Sequence, residues 1–274
     1  YGERPSRRSR RMGALRAAPH RVFLHHVENR FRDIALFDHV TPAALLRLDL
    51  GELLPDLDRV LYLDADILAL ADIRPLLATD LGGAAAGAVQ DFGLHAALAE
   101  EAITGQPDFI LHVRDALGWD TGNFTYVNSG VLLLDLAALR REGFGEQAGR
   151  LVMENPHRFR WRDQDALNLL LRGRIALLDP RWNSMVWFLE REPRRHFADR
   201  TATALQRGDP WLLHFSGPSK PWECLVDIPD YRLWWRAAIR TSPVWGQRWL
   251  SLVLSTGGTV VRRWIRRGSR HRRA

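Results

Sequence analysis

Short hydrophobic runs alternate along this chain with longer stretches in which apolar residues recur at helical spacing. The short runs predict strands, and the periodic stretches predict helices. We predict strands over residues 21–27, 58–63, 84–89, 124–136, 175–178 and 211–215, and helical structure over 41–54, 93–117, 137–155 and 162–171. Strands that alternate with helices indicate an α/β fold, in which a mixed, mainly parallel sheet is flanked by helices.

One hydrophobic stretch, RVLYLDADIL from Arg59 to Leu68, contains two carboxylates where a buried strand should end. Residues two apart in an extended strand point to the same side, so Asp64 and Asp66 can aim at one point. Two carboxylates held together repel each other unless a positive charge lies between them. A divalent cation would fill that role. The simpler alternative is a polar strand end, where Asp66 caps or turns the chain.

Two more polar residues follow or end predicted strands, namely Asp91 and His214. Polar residues at the carboxyl ends of parallel strands commonly build the site of such a sheet. A lone histidine is more often structural than a ligand, but His214 could add a nitrogen to a cation that two carboxylates already hold. Mixed carboxylate and imidazole ligation suits Mn²⁺ and does not exclude Mg²⁺.

Lys220 is the single lysine among 39 basic residues, and it lies in the glycine-containing loop Gly217–Trp222. A lysine ammonium is a good point charge for phosphate. Together with a cation and exposed loop amides, it would form a diphosphate site. The alternative is a solvated surface charge.

Two further polar features of the sequence are Asn128 and the run of three polar residues from Asp163 to Asp165. Asn128 lies inside a hydrophobic strand, where an unpaired amide is costly, so it must hydrogen-bond a neighbouring loop or a ligand. Asp163, Gln164 and Asp165 begin a predicted helix. Helix capping and the dipole could account for Asp163 alone.

The amino-acid composition bears on the size of the domain and argues against some kinds of site and partner. The chain has 274 residues and 46% hydrophobic content, enough for one large α/β domain. Its single cysteine, Cys224, excludes an intrachain disulfide and a cysteine zinc cluster, and fits a reducing compartment. Seven arginines between residues 262 and 273 account for the net charge of +7. Because the rest is near neutral, we do not expect a nucleic-acid partner.

The two ends of the chain differ in character from its middle. Residues 1–19 are rich in arginine and lack periodicity, which predicts a disordered basic segment. We assign residues 20–230 to one catalytic domain and residues 231–274 to a basic, amphipathic helical tail. Tryptophan and arginine alternate in this tail, which is typical of contact with an anionic membrane surface. The alternative is a helix packed on the domain, with its arginines in solvent.

Five segments, in this order, resemble glycosyltransferase family 8, which includes bacterial lipopolysaccharide galactosyl- and glucosyltransferases and, more distantly, glycogenin and the galactinol synthases. They are RLDLGELLPDLDRVLYLDADIL (47–68), VNSGVLLLDL (127–136), RDQDALNLLL (162–171), PRWN (180–183) and HFSGPSKPW (214–222). The His-x-x-Gly-x-x-Lys-Pro-Trp element, joined to the upstream Leu-Asp-x-Asp, is the most specific of these motifs.

The resemblance implies a GT-A-type nucleotide-sugar fold. It also implies retaining transfer of a hexose, galactose or glucose, from a UDP-sugar to a glycan or lipopolysaccharide acceptor. Such an enzyme would be cytoplasmic and could lie on the inner face of the membrane. By motif match, Mn²⁺ would be bound by Asp64, Asp66 and His214. The diphosphate would be held by Gly217 and Lys220, and Arg47 would lie near the nucleotide or donor sugar. That sugar would be contacted by Asp91, Asn128, Asp163 and Gln164. Gln164 would lie on the sugar face opposite the leaving group.

One feature of the family has no counterpart here. Family members begin with a strand that contacts the nucleotide base and ribose, and we predict that this strand is missing. A catalytically impaired or truncated relative, which only binds a nucleotide sugar or a membrane, is therefore an alternative function. A phosphatase that forms an aspartyl phosphate is a further one, although Leu68 occupies the position where that chemistry usually has Thr or Val.

Overall fold

A computed structural model describes residues 23, 25–34, 42–105, 108–120, 125–155, 157–186, 200–217, 220–223 and 228–255. The predicted disordered segment 1–19 and the arginine-rich end of the tail lie outside these ranges. The predicted strand over 21–27 is not found, since its described residues have no strand pairing. The other predicted strands are present with shifted ends.

Seven strands within the described ranges form two small sheets. The strands are β1 (Arg59–Leu63), β2 (Ile67–Ala69), β3 (Ala86–Gln90), β4 (Val127–Asp135), β5 (Ile175–Leu177), β6 (Ser184–Met185) and β7 (Leu212–His214). One sheet has the order β1-β4-β3-β5 and the other has β2-β7-β6. The prediction of mainly parallel strands is wrong for these pairings. Strand β4 runs antiparallel to both neighbours, and β2 runs antiparallel to β7. Only the pairs β3–β5 and β6–β7 among the described strands are parallel.

Helices flank these sheets, as predicted. They are α1 (Leu50–Leu53), α2 (Arg74–Leu77), α3 (Phe92–Thr104), α4 (Asp108–Leu111), α5 (Leu136–Arg141), α6 (Phe144–Glu154), α7 (Arg162–Leu170), α8 (Arg200–Gly208), α9 (Pro229–Thr241) and α10 (Pro243–Ser255). The predicted helix over 41–54 begins as a 3₁₀ helix, Pro42–Asp49, and a second 3₁₀ helix spans Pro180–Asn183. The predicted helical stretch 93–117 divides into α3, α4 and a π-helical turn, His112–Ala116, because Gly105 ends α3 in the left-handed conformation.

Strand β4 lies at the centre of the larger sheet and is buried on both faces. Leu132 and Leu134 pack into one hydrophobic cluster, which includes residues of α6 and α7. Val131, on the opposite face, packs into a second cluster with Trp182 and Leu212. Strand β1 is the edge strand of this sheet within the described residues and is only half-buried.

The Asp-x-Asp segment connects the two sheets. The sequence suggested one strand through both carboxylates, but β1 ends at Leu63 and β2 begins at Ile67 in the other sheet. The backbone N–H of Asp64 donates to Gly130 O of β4 (2.8 Å), and Phe215 N–H donates to Asp66 O (3.0 Å). A turn that is hydrogen-bonded to both sheets therefore holds the two carboxylates.

An irregularity in β4 contains two of its polar residues. Gln90 pairs with Val127, whereas Ala88 pairs with Leu132, so β4 carries extra residues between these two points. The polar residues Asn128 and Ser129 lie in this bulge. Bulges redirect side chains out of the regular alternation of a strand.

The first helix of the predicted tail packs on the domain. Tyr231 and Trp235 of α9 are buried, and the Tyr231 ring contacts Phe215 edge to face, with centroids 5.7 Å apart. In α10, Trp245 packs against Trp234 with centroids 5.0 Å apart, while Leu254 is 72% exposed. The packing alternative therefore holds for α9. Among the described residues, none of the helices combines the length and apolar character needed to cross a bilayer.

Candidate functional site

The three residues predicted as cation ligands lie together, and we call them the carboxylate–histidine cluster. One ligand atom from each of Asp64, Asp66 and His214 lies within 4.8 Å of the other two. His214 Nε2 is 3.2 Å from Asp66 Oδ1 and 3.7 Å from Asp64 Oδ2. The histidine is buried and the carboxylates are partly exposed, which leaves one side of the cluster open to a ligand.

Two asparagine side chains, hydrogen-bonded in series, fix the orientation of the His214 ring. Asn183 Nδ2 donates to Asn128 Oδ1 (2.8 Å), so Asn183 Oδ1 accepts from His214 Nδ1 (2.9 Å). In this tautomer, Nδ1 of His214 carries the proton and Nε2 presents a lone pair to the carboxylates. Histidines that bind metals are usually held in this way, by a hydrogen bond from the other ring nitrogen.

The environment of Asp66 fits a bound cation. Its Oδ1 is buried and accepts no hydrogen bond from the part of the chain that the structure describes. His214 Nε2 lies 3.2 Å from this oxygen and lacks a proton in this tautomer. Two lone pairs facing each other at 3.2 Å are unfavourable unless a cation or a proton lies between them. The donor set, carboxylate oxygen and imidazole nitrogen, suits Mn²⁺.

Lys220 is directed into the cluster. Its Nζ donates to Asp66 Oδ2 (2.5 Å) and to Phe215 O (2.8 Å). Burial alone would raise the pKa of Asp66, but Lys220, together with His214 when its imidazole also carries a proton on Nε2, holds that pKa well below its usual range. The alternative of a solvated surface lysine is therefore wrong. Gly217, at the start of the same loop, has φ +96°, a conformation that favours glycine.

Arg47 joins the carboxylate–histidine cluster to the start of α7. Its guanidinium donates to Asp64 Oδ1 (2.8 Å) and to Ser129 O (2.7 Å), and its Nε lies 3.1 Å from Asp163 Oδ2. Burial would lower the pKa of Arg47, but Asp163 and Asp64 raise it above its ordinary value. Arg47 therefore stays charged between two carboxylates.

Three of the predicted sugar-binding residues form a second group, the amide cluster of Asp91, Asn128 and Gln164. Asn128 Nδ2 donates to Gln164 Oε1 (3.0 Å), and Gln164 Nε2 donates to Asp91 Oδ2 (3.1 Å). Ser129 N–H also donates to Gln164 Oε1 (3.0 Å). The expectation that the Asn128 amide must find a partner is confirmed, and the Gln164 amide is held in one orientation.

Asp163, the fourth of these residues, lies between the two clusters. It accepts from the Ser129 hydroxyl (3.2 Å) and faces Arg47. Burial raises the pKa of Asp163 above its ordinary value, although Arg47 opposes that shift. Capping of α7 does not explain its position.

A close backbone approach brings the two clusters together. A Cβ at Gly130 would lie 2.8 Å from His214 Nδ1 and closer still to His214 Cε1. Only glycine leaves room for the imidazole at this point of β4. The sequence places a glycine in the Asn-Ser-Gly trio but does not show what approaches it.

Three residues of the site were not singled out from the sequence: Asn183, Ser129 and Tyr62. The Tyr62 hydroxyl donates to Asp64 Oδ1 (2.6 Å). Its position two residues before Asp64 was a usable signal, since both side chains lie on one side of an extended strand. Asn183 ends the matching PRWN segment, but only the fold reveals its partner.

Comparison with known proteins identifies the family. Residues 18–225 match the family model described as Glycosyl transferase family 8. General stress protein A of Bacillus subtilis (strain 168) is 30% identical over 212 residues, which make up 76% of this chain and 68% of that protein. Lipopolysaccharide 1,2-glucosyltransferase of Escherichia coli (strain K12) is 30% identical over 190 residues, which make up 68% of this chain and 50% of that protein.

Solved structures agree with this match. The crystal structure of the galactosyltransferase LgtC in complex with donor and acceptor sugar analogues has a TM-score of 0.59 and 29% sequence identity, over 79% of this chain and 71% of that chain. A structure of an active-site mutant of LgtC has a TM-score of 0.56 and 29% sequence identity, over 70% of this chain and 65% of that chain. The similarity confirms the predicted GT-A-type fold class.

Proposed function

This chain belongs to glycosyl transferase family 8, and from that premise we propose that it is a retaining, metal-dependent hexosyltransferase. It moves galactose or glucose from a UDP-sugar to a glycan or lipopolysaccharide acceptor. The observation that carries the proposal is the convergence of Asp64, Asp66 and His214. The lone pair of His214 Nε2 faces Asp66 Oδ1, which accepts no hydrogen bond from the described residues. The catalytic domain spans residues 20–230.

The carboxylate–histidine cluster is the leaving-group end of the site. Its three residues hold Mn²⁺, or Mg²⁺, which when bound supplies positive charge to the diphosphate of the donor. Lys220 and the backbone at Gly217 contact the same diphosphate. Lys220 is the one lysine of the chain and already lies 2.5 Å from Asp66, so it needs little movement to reach a phosphate beside the cation. Fixed charges of this kind stabilise a leaving group without reorganisation cost.

The amide cluster is the sugar end. Asp91, Asn128 and Gln164 bind the donor hydroxyls, while Asp163 and Arg47 lie between the sugar and the diphosphate. These side chains are buried and hydrogen-bonded to one another, so they are already oriented before a substrate arrives. Orientation of this kind lowers the entropic part of the barrier.

Retention of configuration follows from attack on the face that UDP leaves. The bond from the anomeric carbon to the β-phosphate oxygen breaks, and a bond to the acceptor oxygen forms on the same face. The acceptor hydroxyl proton passes to the departing phosphate oxygen. Gln164 on the opposite face is a poor nucleophile, because its carbonyl oxygen already accepts from Asn128 and Ser129.

The experiment is a panel of UDP-sugars, scored for hydrolysis and transfer with Mn²⁺, with Mg²⁺ and with chelator. We expect turnover of UDP-galactose or UDP-glucose that requires the metal, and turnover unaffected by chelator would contradict the proposal. Calorimetry with UDP and Mn²⁺ tests the binding-only alternative. Binding without hydrolysis of any UDP-sugar would favour that alternative.

The proposal extends to the tail. Residues 231–274 would place the enzyme at an anionic membrane surface on the cytoplasmic side, where a lipid-linked glycan acceptor is available. The support is the run of seven arginines between residues 262 and 273, together with the exposed apolar side chains Leu250 and Leu254 on α10.

A further inference from the structure

Behind the site lies a buried carboxylate that the proposed chemistry does not use. Asp165 has no exposed surface. Its Oδ1 accepts from the Tyr126 hydroxyl (2.5 Å), and its Oδ2 accepts from Trp161 N–H (2.8 Å) and from His112 Nε2 (3.1 Å). Both oxygens are therefore occupied. We call these four residues the anchor network.

The anchor network is adjacent to the residue that faces the sugar. Asp165 follows Gln164 in the first turn of α7, and Asn168 lies one turn further along. Asn168 is also fully buried, and it exchanges two hydrogen bonds with the backbone of Val127, each 2.8 Å. Its Nδ2 also donates to Gln164 O (2.8 Å). One side of α7 is thus fixed to β4, while Asp163 and Gln164 face the site.

The backbone at this helix start is strained. Arg162 has φ +26°, a conformation rare for residues other than glycine. Such strain costs on the order of 1–3 kcal/mol and persists only where neighbouring contacts enforce it. Three hydrogen bonds span this point. Trp161 N–H donates to Asp165 Oδ2, and the N–H groups of Gln164 and Asp165 both donate to Trp161 O (2.7 and 3.2 Å).

Tyr126 ties the anchor network to the amide cluster. Its backbone carbonyl accepts from Asp91 N–H (2.8 Å), while its hydroxyl donates to Asp165. Burial, followed by the charge of Asp165, raises the pKa of Tyr126 well above its ordinary value, so the hydroxyl keeps its proton and remains a donor. Tyr126 therefore contacts Asp91 through its backbone carbonyl and the first turn of α7, next to Gln164, through its hydroxyl. Asp91 and Gln164 are also hydrogen-bonded to each other.

We propose that Asp165 is a positioning residue, which holds the strained first turn of α7 through Tyr126, His112 and Trp161 so that the Gln164 amide faces the donor sugar. This inference rests on the proposed function. Asp165 does not act as a nucleophile, because it is wholly buried and both of its oxygens accept hydrogen bonds. It acts on the reaction only through Gln164.

The test compares Tyr126→Phe and Asp165→Asn with Tyr231→Phe, which alters a buried tyrosine of α9 away from the network. Loss of the Tyr126 hydroxyl should lower kcat for UDP-hexose hydrolysis about tenfold. Asp165→Asn should lower it about 100-fold, since small displacements of orienting groups have effects of that size. The affinity for UDP with Mn²⁺, measured by calorimetry, should stay within about twofold of the wild type in both variants, because the diphosphate end is untouched. Tyr231→Phe should keep the wild-type kcat.

Two results would overturn the inference. In one, Tyr126→Phe keeps the wild-type kcat and loses only thermal stability. In the other, kcat and UDP affinity fall together, which indicates a general structural role. If the wild type hydrolyses no UDP-sugar, the proposed function fails and hydrogen exchange of residues 161–165 decides the inference alone. Faster exchange in Tyr126→Phe than in Tyr231→Phe supports it, and equal exchange overturns it.

Discussion

The two ends of the site are built on opposite electrostatic principles. The carboxylate–histidine cluster, with Lys220 beside it, concentrates charge and leaves one carboxylate oxygen without a hydrogen bond from the described residues. The amide cluster is largely satisfied by its own hydrogen bonds and carries one carboxylate, Asp91, among its amides. Under the proposed function, charge lies where the leaving group develops charge, and fixed dipoles lie where a neutral sugar must be oriented.

The two ends also arise differently from the fold. The charged end is assembled from a turn between two sheets and from the end of β7, so it depends on contacts between distant parts of the chain. Lys220 and Asp66, for example, are 154 residues apart in sequence. The amide end is built on the bulge of β4, the end of β3 and the first turn of α7. We expect changes at the charged end to weaken metal and UDP binding as well as kcat, whereas changes at the amide end should lower kcat and leave metal and UDP binding intact.

The largest effect is expected from Asp66→Ala. The change removes a proposed cation ligand, which also accepts a hydrogen bond from Lys220. We therefore expect hydrolysis of UDP-hexose to fall by at least about 1000-fold. The measurement is steady-state turnover with saturating Mn²⁺. Asp72→Ala is the control, because Asp72 pairs only with the exposed Arg74 in the described structure and should leave turnover unchanged. Equal activity in the two variants would contradict the assigned role of Asp66.

The next largest effect is expected from Lys220→Met, which keeps much of the side-chain bulk and removes the charge. We expect kcat to fall by about 100-fold to 1000-fold, the range found when one charge-stabilising donor is lost. The affinity for UDP should fall with it, as measured by calorimetry. An unchanged UDP affinity would place Lys220 outside the diphosphate site.

Gly130→Ala tests the junction of the two ends. The added methyl group would overlap the His214 ring, and we expect a fall of about 100-fold in turnover together with weaker Mn²⁺ binding. Gly208→Ala is the matched control, since a Cβ at Gly208 meets no atom within 4 Å. If Mn²⁺ binding is equal in both variants, His214 does not need its present position to hold the cation.

The smallest effect on chemistry is expected from removal of residues 256–274, which leaves both ends of the site intact. Hydrolysis of UDP-hexose should be unchanged, while sedimentation with vesicles of anionic lipid should be lost. The cut is placed after α10 because Trp245 packs against Trp234 and Trp235. Unchanged sedimentation would contradict the membrane role of this segment.

From the sequence we could predict which residues form the site better than we could predict the arrangement of the strands that carry them. Asp64, Asp66 and His214 could be found because polar residues at strand ends are conspicuous in a hydrophobic pattern. The change of sheet between β1 and β2 could not be found, since RVLYLDADIL is also consistent with one strand. Strand direction was missed for a similar reason, because periodicity does not show which way β4 runs.

The supporting contacts were beyond sequence reasoning. Asn183 orients His214, and these residues are 31 positions apart. Asp165 is one of three consecutive polar residues at a predicted helix start, and the sequence does not show which residues it contacts. Its partners Tyr126 and His112 come from a strand end and a π-helical turn, and only packing brings them together.

The central claim is that Asp64, Asp66 and His214 hold one divalent cation beside the diphosphate of the donor. The most direct measurement is electron paramagnetic resonance of Mn²⁺, titrated with the protein in the presence of UDP. We predict one bound Mn²⁺ per chain in the wild type and loss of that binding in both Asp66→Ala and His214→Ala. Wild-type binding retained in both variants would contradict the account.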